Sequence, residues 1–218
     1  HGLFHSCRLD DVSGALRAVA LLCKHEPLYL AGFSLGGNFL LRAAAEPQLP
    51  GSVAGVVAIS PVLDPARTLS ALEDGVRVYH GYFVRKWSAS LRIKQRCWPD
   101  DYDFSARMRS RSLRRMTDEL VGAHTEFADM RSYLDGYAIT GERLLTLQVP
   151  ARILAATDDP IIPAADLARL APTPLLQVER TDYGGHCGFL STLFGPAYCD
   201  QYVLEQFEQF GEAQRSMS

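Results

Sequence analysis

Leu28-Tyr29-Leu30-Ala31-Gly32-Phe33-Ser34-Leu35-Gly36-Gly37-Asn38-Phe39-Leu40-Leu41 is the stretch that decides the fold. The apolar residues Leu28 to Ala31 run into Gly32-Phe33-Ser34-Leu35-Gly36, and a helix-like run from Asn38 to Ala45 follows. That is strand, sharp turn and helix, the setting that a G-x-S-x-G nucleophile elbow requires. The reason is steric. The serine sits on a tight, strained turn, and side chains two residues to either side would collide with the adjoining strand and helix. On this reading Gly32 and Gly36 let the backbone close and push Ser34 Oγ out above the sheet.

Outward from the elbow, strands and helices alternate. Residues 7–25 read as an amphipathic helix, with Ser6 as its N-cap and Asp10 and Asp11 in its first turn, where carboxylates favour the positive helix end. Pro27 stops it. Residues 28–33 read as a short buried strand and 35–46 as a helix. Residues 52–59, rich in β-branched side chains and apolar throughout, read as a strand covered on both faces, as in a parallel sheet. Strands are also expected at 151–156 and 175–179, and helices at 163–171 and about 196–212. This order predicts an α/β domain with four parallel strands.

The segment 62–148 differs. It is rich in arginine and aromatic residues and has no convincing strand, so it reads as a helical cap of short helices inserted between the second and third strands. Its aromatics, Tyr79, Tyr82, Phe83, Trp87 and Trp98 among them, either pack the cap onto the core or line an apolar ligand pocket.

Composition narrows the function. The chain has 218 residues, 47% of them hydrophobic, enough for one domain with its own core. A net charge of −3, from 22 basic and 25 acidic residues, gives no reason to expect a nucleic-acid partner. The basic run Arg107 to Arg115 reads as a solvated helix face. No stretch is long and apolar enough to span a bilayer. The five cysteines, Cys7, Cys23, Cys97, Cys187 and Cys199, have neither C-x-x-C nor zinc spacing, which suits reduced thiols in a cytoplasmic protein. No metal site or cofactor is implied.

Three groups then fall in order, each just after an expected strand: Ser34, Asp158-Asp159 and His186. Functional residues of open α/β sheets collect at such strand ends. A serine hydroxyl is a poor nucleophile at neutral pH. An imidazole must take its proton, and a carboxylate must hold the imidazole's tautomer and stabilise its cation. Ser…Asp…His is the chain order of α/β hydrolases. Asp159, directly before Pro160, is favoured as the acid. Asp158 would then cap or bond its turn, and Asp64, after the preceding strand, is a third candidate. Cys187 beside His186 reads as packing. Asn38 falls on the first turn of the helix after the elbow. The other histidines, His1, His5, His25, His80 and His124, lack a comparable setting.

Gly32-Phe33-Ser34-Leu35-Gly36-Gly37-Asn38, the Asp158-Asp159-Pro160 turn and Tyr183-Gly184-Gly185-His186-Cys187-Gly188-Phe189 together resemble the YheT-type α/β hydrolases, a family of esterase-like proteins, lipid-ester hydrolases and acyltransferases. Phe4-His5-Ser6 with Asp10-Asp11, and the Ser60-Pro61 strand end leading into the cap, fit the same resemblance, which covers essentially the whole chain. It implies an α/β-hydrolase fold, a triad of Ser34, Asp159 and His186, and an oxyanion donor at the Leu35 N–H. The substrate expected is a small-molecule carboxylic ester with a hydrophobic acyl group, of short or medium chain length or from a lipid. Acyl transfer to an alcohol, or ligand binding without catalysis on the same scaffold, are the alternatives.

The front of the chain departs from the family. Members carry further strands before this point and a His-Gly loop that supplies a second oxyanion donor. His1-Gly2-Leu3 imitates that loop but lies too close to Ser34. The 218 residues therefore read as a single α/β-hydrolase domain that is incomplete at its N-terminus. Loss of the second donor should cost on the order of 10²–10³ in rate, and the 28–33 strand should form an exposed apolar edge.

Overall fold

The structure is a computed structural model describing residues 2–24, 26–105, 110–190 and 195–216. Its centre is a parallel sheet of four strands in the order β1-β2-β3-β4: β1 Leu28–Phe33, β2 Val53–Ile59, β3 Ala151–Ala156 and β4 Leu176–Thr181. The helices are α1 Leu9–Leu22, α2 Leu35–Ala44, α3 Pro65–Asp74, α4 Arg77–Cys97, α5 Leu113–His124, α6 Met130–Gly136 and α7 Tyr198–Arg215. This is the α/β-hydrolase fold, with α3 to α6 inserted between β2 and β3.

The apolar strands are explained by their two covered faces. Val56, Ala58, Ile153 and Ala155 pack with Leu41 and Ala44 of α2, whereas Val57, Ile59, Leu154 and Ala156 pack with Tyr202 and Phe210 of α7. Successive strand residues point to opposite faces, so a strand sandwiched between helices must be apolar at every position. All seven residues of β2 are buried.

Several expectations shift. Among the described residues β1 pairs only with β2, so it is the exposed edge strand expected of 28–33 and not a buried one; Phe33 is 44% exposed. Ser6 does not cap α1, which begins after Arg8 without a side-chain cap; the Ser6 N–H donates instead to Tyr133 Oη at 3.2 Å. The helix expected at 163–171 is a 3₁₀ turn, Ala164–Arg169, confined between Pro163 and Pro172. The fourth strand and the last helix run to Thr181 and Arg215, each beyond its expected end.

The inserted helices are not all short, since α4 has 21 residues. Asp64 caps α3, with Pro65 at the first helical position, and Ser112 caps α5. Leu69, Leu113, Val121, Tyr133 and Leu134 form one apolar cluster there, and Leu91, Phe104, Met116 and Leu120 another. The aromatics divide: Tyr79 and Tyr82 face solvent, whereas Phe83 and Trp87 pack inward. Arg107 and Arg109 of the basic run, and His1 and His25, lie outside the described residues. Arg115 of the same run pairs with Glu119 along α5, as a solvated helix face would.

Candidate active site

The elbow is built as its sequence demands, with one change. Ser34 has φ 50° and ψ −120°, a strained conformation for a residue with a Cβ. Its N–H still donates to Ile59 O in the sheet at 2.9 Å, while its carbonyl accepts the first helical bond from Asn38 N at 3.1 Å. One residue therefore converts strand into helix. A Cβ on Gly32 would come within 2.8 Å of the Gly36 and Gly37 backbone. A Cβ on Gly36 would meet nothing within 4 Å. The glycine required on the helix side is Gly37, pressed between Gly32 O at 2.9 Å and Ala58 Cβ at 3.1 Å. Helix α2 crosses the sheet one residue later than the pentapeptide pattern implies.

Parallel strands bring the three sequence-distant groups to one end of the sheet. His186 Nε2 lies 3.0 Å from Ser34 Oγ, and His186 Nδ1 lies 2.9 Å from Asp159 Oδ2. A carboxylate only accepts, so Nδ1 carries the proton and Nε2 is left to accept from the serine hydroxyl. The other Asp159 oxygen accepts from Ile161 N at 2.8 Å and Ile162 N at 3.0 Å, which fixes the carboxylate's plane. Burial works against the His186 imidazolium, but its hydrogen bond to Asp159, the neighbouring Cys187 and the Asp159 charge outweigh it and push the group up to about 9. The Cys187 thiol itself is directed at Ile59 O, 4.0 Å away.

The two adjacent aspartates have different tasks. Asp158 Oδ1 accepts from Gly184 N at 2.9 Å and Gly185 N at 2.8 Å, so it clasps the histidine loop rather than its own turn. That loop needs its glycines: a Cβ on Gly184 would press into the Phe189 ring at 2.6 Å, and Gly185 has φ +55°. Phe189 is buried and anchors the loop to the α7 side of the sheet. Asp64 takes no part in this constellation. Its oxygens accept from Ala66 N and Arg67 N and pair with Arg169. His80 pairs with Glu73, and the His124 ring lies tilted against Tyr102 and edge-on to Phe104.

Two contributors escape a reading of residue types. Asn38, fully buried, donates from Nδ2 to Val62 O and to Tyr137 O, both at 2.8 Å, which ties the elbow helix to the β2–α3 loop and to the end of α6. An asparagine early in a helix carries no signal for such distant carbonyls. The second is a cavity of about 240 Å³ lined by Ser34, Leu35, Leu69, Leu72, Phe83 and Trp87, among others. Leu35 opens α2, and the first N–H groups of a helix have no partner within it. Among the described residues, no group of three or more His, Cys, Asp or Glu side chains is arranged to hold a metal ion. No helix of the described residues is long and apolar enough to cross a membrane.

A strained serine at a strand-to-helix turn, on a parallel sheet with helices inserted after β2, defines an α/β hydrolase. The chain belongs to the Hydrolase_4 family, described as "Serine aminopeptidase, S33", whose model matches residues 6–182. It is 29% identical over 206 residues to the protein YheT of Escherichia coli (strain K12), whose name carries the word esterase; the match covers 90% of this chain and 59% of that protein. It is 24% identical over 211 residues to "Phospholipase ABHD3" of Mus musculus, covering 94% of this chain and 50% of that one. The chain thus spans between half and three-fifths of the length of these relatives. Among solved structures, AbyA5 superposes with a TM-score of 0.53 at 17% identity, over 96% of this chain and 48% of its own. A membrane phospholipase A described as a bacterial virulence factor gives 0.50 at 18%, over 95% and 64%. These last two likenesses concern the fold alone.

Proposed function

We propose that this chain carries a serine hydrolase site that cleaves carboxylic esters through an acyl-enzyme. The observation that carries the reading is the unbroken line from Ser34 Oγ through His186 to Asp159, at 3.0 and 2.9 Å. Ser34 Oγ attacks the ester carbonyl as its proton passes to His186 Nε2. The negative charge on the carbonyl oxygen is met by the Leu35 N–H at the positive end of α2. His186 then protonates the departing alcohol, leaving the acyl group on Ser34. A water, deprotonated by the same imidazole, releases the acid and restores the serine. Asp159 holds the Nδ1–H tautomer and stabilises the imidazolium throughout.

The apolar lining of the Ser34 cavity favours an acyl group over a charged peptide end, and the names of the two curated relatives point the same way. The inserted helices serve as the cap that builds this pocket. All five cysteines are free, which fits a reducing compartment such as the cytoplasm. A fluorophosphonate probe should label the chain at Ser34, and p-nitrophenyl butyrate should be turned over. Ser34→Ala should abolish labelling and reduce turnover by about 10⁵–10⁶-fold with the fold retained by circular dichroism. Labelling or turnover that survives Ser34→Ala would remove the assignment.

A further inference from the structure

Helix α4 concentrates positive charge. Its 21 residues hold six lysines and arginines and no aspartate or glutamate, although the whole chain has 25 acidic residues against 22 basic ones. Lys94 is engaged with the protein: its Nζ donates to Gly2 O at 3.2 Å and lies 3.9 Å from the centre of the Trp98 ring. Arg85, Lys86, Arg92 and Arg96 are exposed, and none of them makes an ion pair among the described residues. On α5 and α6, by contrast, Arg115 stands beside Glu119 and Arg131 beside Asp135. Arg92 and Arg96 are four residues apart, a like-charge spacing that weakens a helix. The stability of α4 therefore does not account for its charge.

The same helix is apolar on two opposite faces. Toward the core, Phe83 and Trp87 pack on Leu69, Leu113 and Tyr133, and Leu91 is buried with Phe104 and Met116. Away from it, Val78, Tyr82 and Ile93 are 78%, 45% and 56% exposed. At about 100° per residue these three fall on one stripe along the helix. Arg85 and Arg92 then border the stripe on one side, Lys86 borders it on the other, and Arg96 lies near its end. Arg85 and Arg92 also line an open groove with His80, Ser88 and Arg111. Single exposed apolar residues are ordinary, but an apolar stripe framed by cations on the outer face of one helix is the pattern of a helix that lies in a membrane interface.

We infer that the outer face of α4 docks on the surface of an anionic lipid bilayer. Val78, Tyr82 and Ile93 enter the boundary between headgroups and acyl chains. Arg85, Lys86, Arg92 and Arg96 pair with the lipid phosphates around them. A tyrosine suits that depth because its ring is apolar and its hydroxyl polar. Lipid matches this face better than other polyanions do. A nucleic acid would neutralise the arginines but leave Val78 and Ile93 against a charged backbone. A protein partner would need an apolar trough with carboxylates along both rims for the length of the helix, about 30 Å. A bilayer offers hydrocarbon beneath and phosphates on both sides over any such length.

Co-sedimentation of the full chain with large vesicles tests this and needs no turnover, so its outcome stands apart from the hydrolase reading. Vesicles of equal parts phosphatidylcholine and phosphatidylglycerol should be bound roughly 10-fold or more tighter than vesicles of phosphatidylcholine alone, since each cation near an anionic surface adds to the attraction. Raising salt from about 0.1 to about 1 M, which shortens the screening length from about 10 to about 3 Å, should remove most of that excess. Arg85→Gln, Arg92→Gln and Arg96→Gln together keep the stripe and should abolish the anionic preference. Val78→Ser with Ile93→Ser keeps the charges and should weaken binding to the anionic vesicles roughly 10-fold. All five positions are exposed, so both variants should keep the fold by circular dichroism. Equal binding to the two vesicles, binding to neither, or indifference to either set of substitutions in folded protein would overturn the docking face. So would binding of a labelled single-stranded RNA, lost in the arginine variant, by a chain that ignores vesicles.

Discussion

At the carboxyl end of the sheet, the decisive contacts are polar and run between side chains and backbone. In the helices between β2 and β3, they are apolar and run between side chains. The first region holds Asp158 against two loop N–H groups, Asp159 against two more and the His186 ring, and Ser34 in a strained turn. Each of these is a directional bond with little tolerance for displacement. The second region stacks leucines, methionine and aromatic rings around cavities. Shape decides there, and similar shapes can be made from different residues. On the proposed reading, the contrast separates a part that fixes chemistry from a part that fixes what fits.

The largest effect expected after removal of Ser34 is at Asp159. Asp159→Asn keeps the shape but reverses the tautomer preference of His186, and kcat should fall by about 10⁴-fold. A loss of tenfold or less, measured with p-nitrophenyl butyrate, would move the orienting acid elsewhere. The next effect is on pH. His186 must be neutral to accept the serine proton, and its value is raised to about 9. In the free chain, kcat/KM should climb through pH 9, with activity at pH 7 about a hundredth of the plateau, since each unit is tenfold. The same shift bears on stability. The folded value lies above the ordinary 6.5, so the contribution of the His186–Asp159 pair is full below pH 6.5 and is lost as pH rises through about 9. A rate profile already flat at pH 7 would contradict this account of the histidine's surroundings.

Asn38 joins the two regions, and its replacement probes the joint. Asn38→Ala should destabilise the protein by about 1–3 kcal/mol in urea unfolding, because the carbonyls of Val62 and Tyr137 lose a buried donor. An unchanged midpoint would mean that the inserted helices hold their place by apolar packing alone. The smallest effects separate the two elbow glycines. Gly36→Ala has room and relieves a glycine within a helix, so it should stabilise by up to about 1 kcal/mol. Gly37→Ala should instead cost about 1–3 kcal/mol through overpacking against Gly32 O and Ala58. Equal melting temperatures for the two variants would erase the distinction.

Much of the sheet was legible because its signals are local. A strand covered on both faces is apolar at every position, and β2 and β3 fall within one residue of where their runs place them. Ser34 was legible because strand, glycine turn and helix are contiguous in the chain. Asp159 and His186 could be named as candidates, since each follows a strand and parallel strands end on one side of a sheet. The expected helix at 163–171 failed because prolines at both ends leave room for little more than a 3₁₀ turn, and the expected cap at Ser6 failed because its backbone turns toward Tyr133.

What the sequence determined by itself is the alternation of elements, the elbow and the three residue types that follow strand ends. These rest on spacing and backbone conformation, which neighbouring residues dictate. The tertiary structure alone decided that Asp158 clasps the histidine loop while Asp159 meets the ring. It alone decided that Gly37 rather than Gly36 lies under the elbow, and that Trp87 lines the Ser34 cavity. Each of those facts depends on which distant atoms approach within a few ångströms. That is fixed by how strands register and helices cross, and no local pattern of residues encodes it.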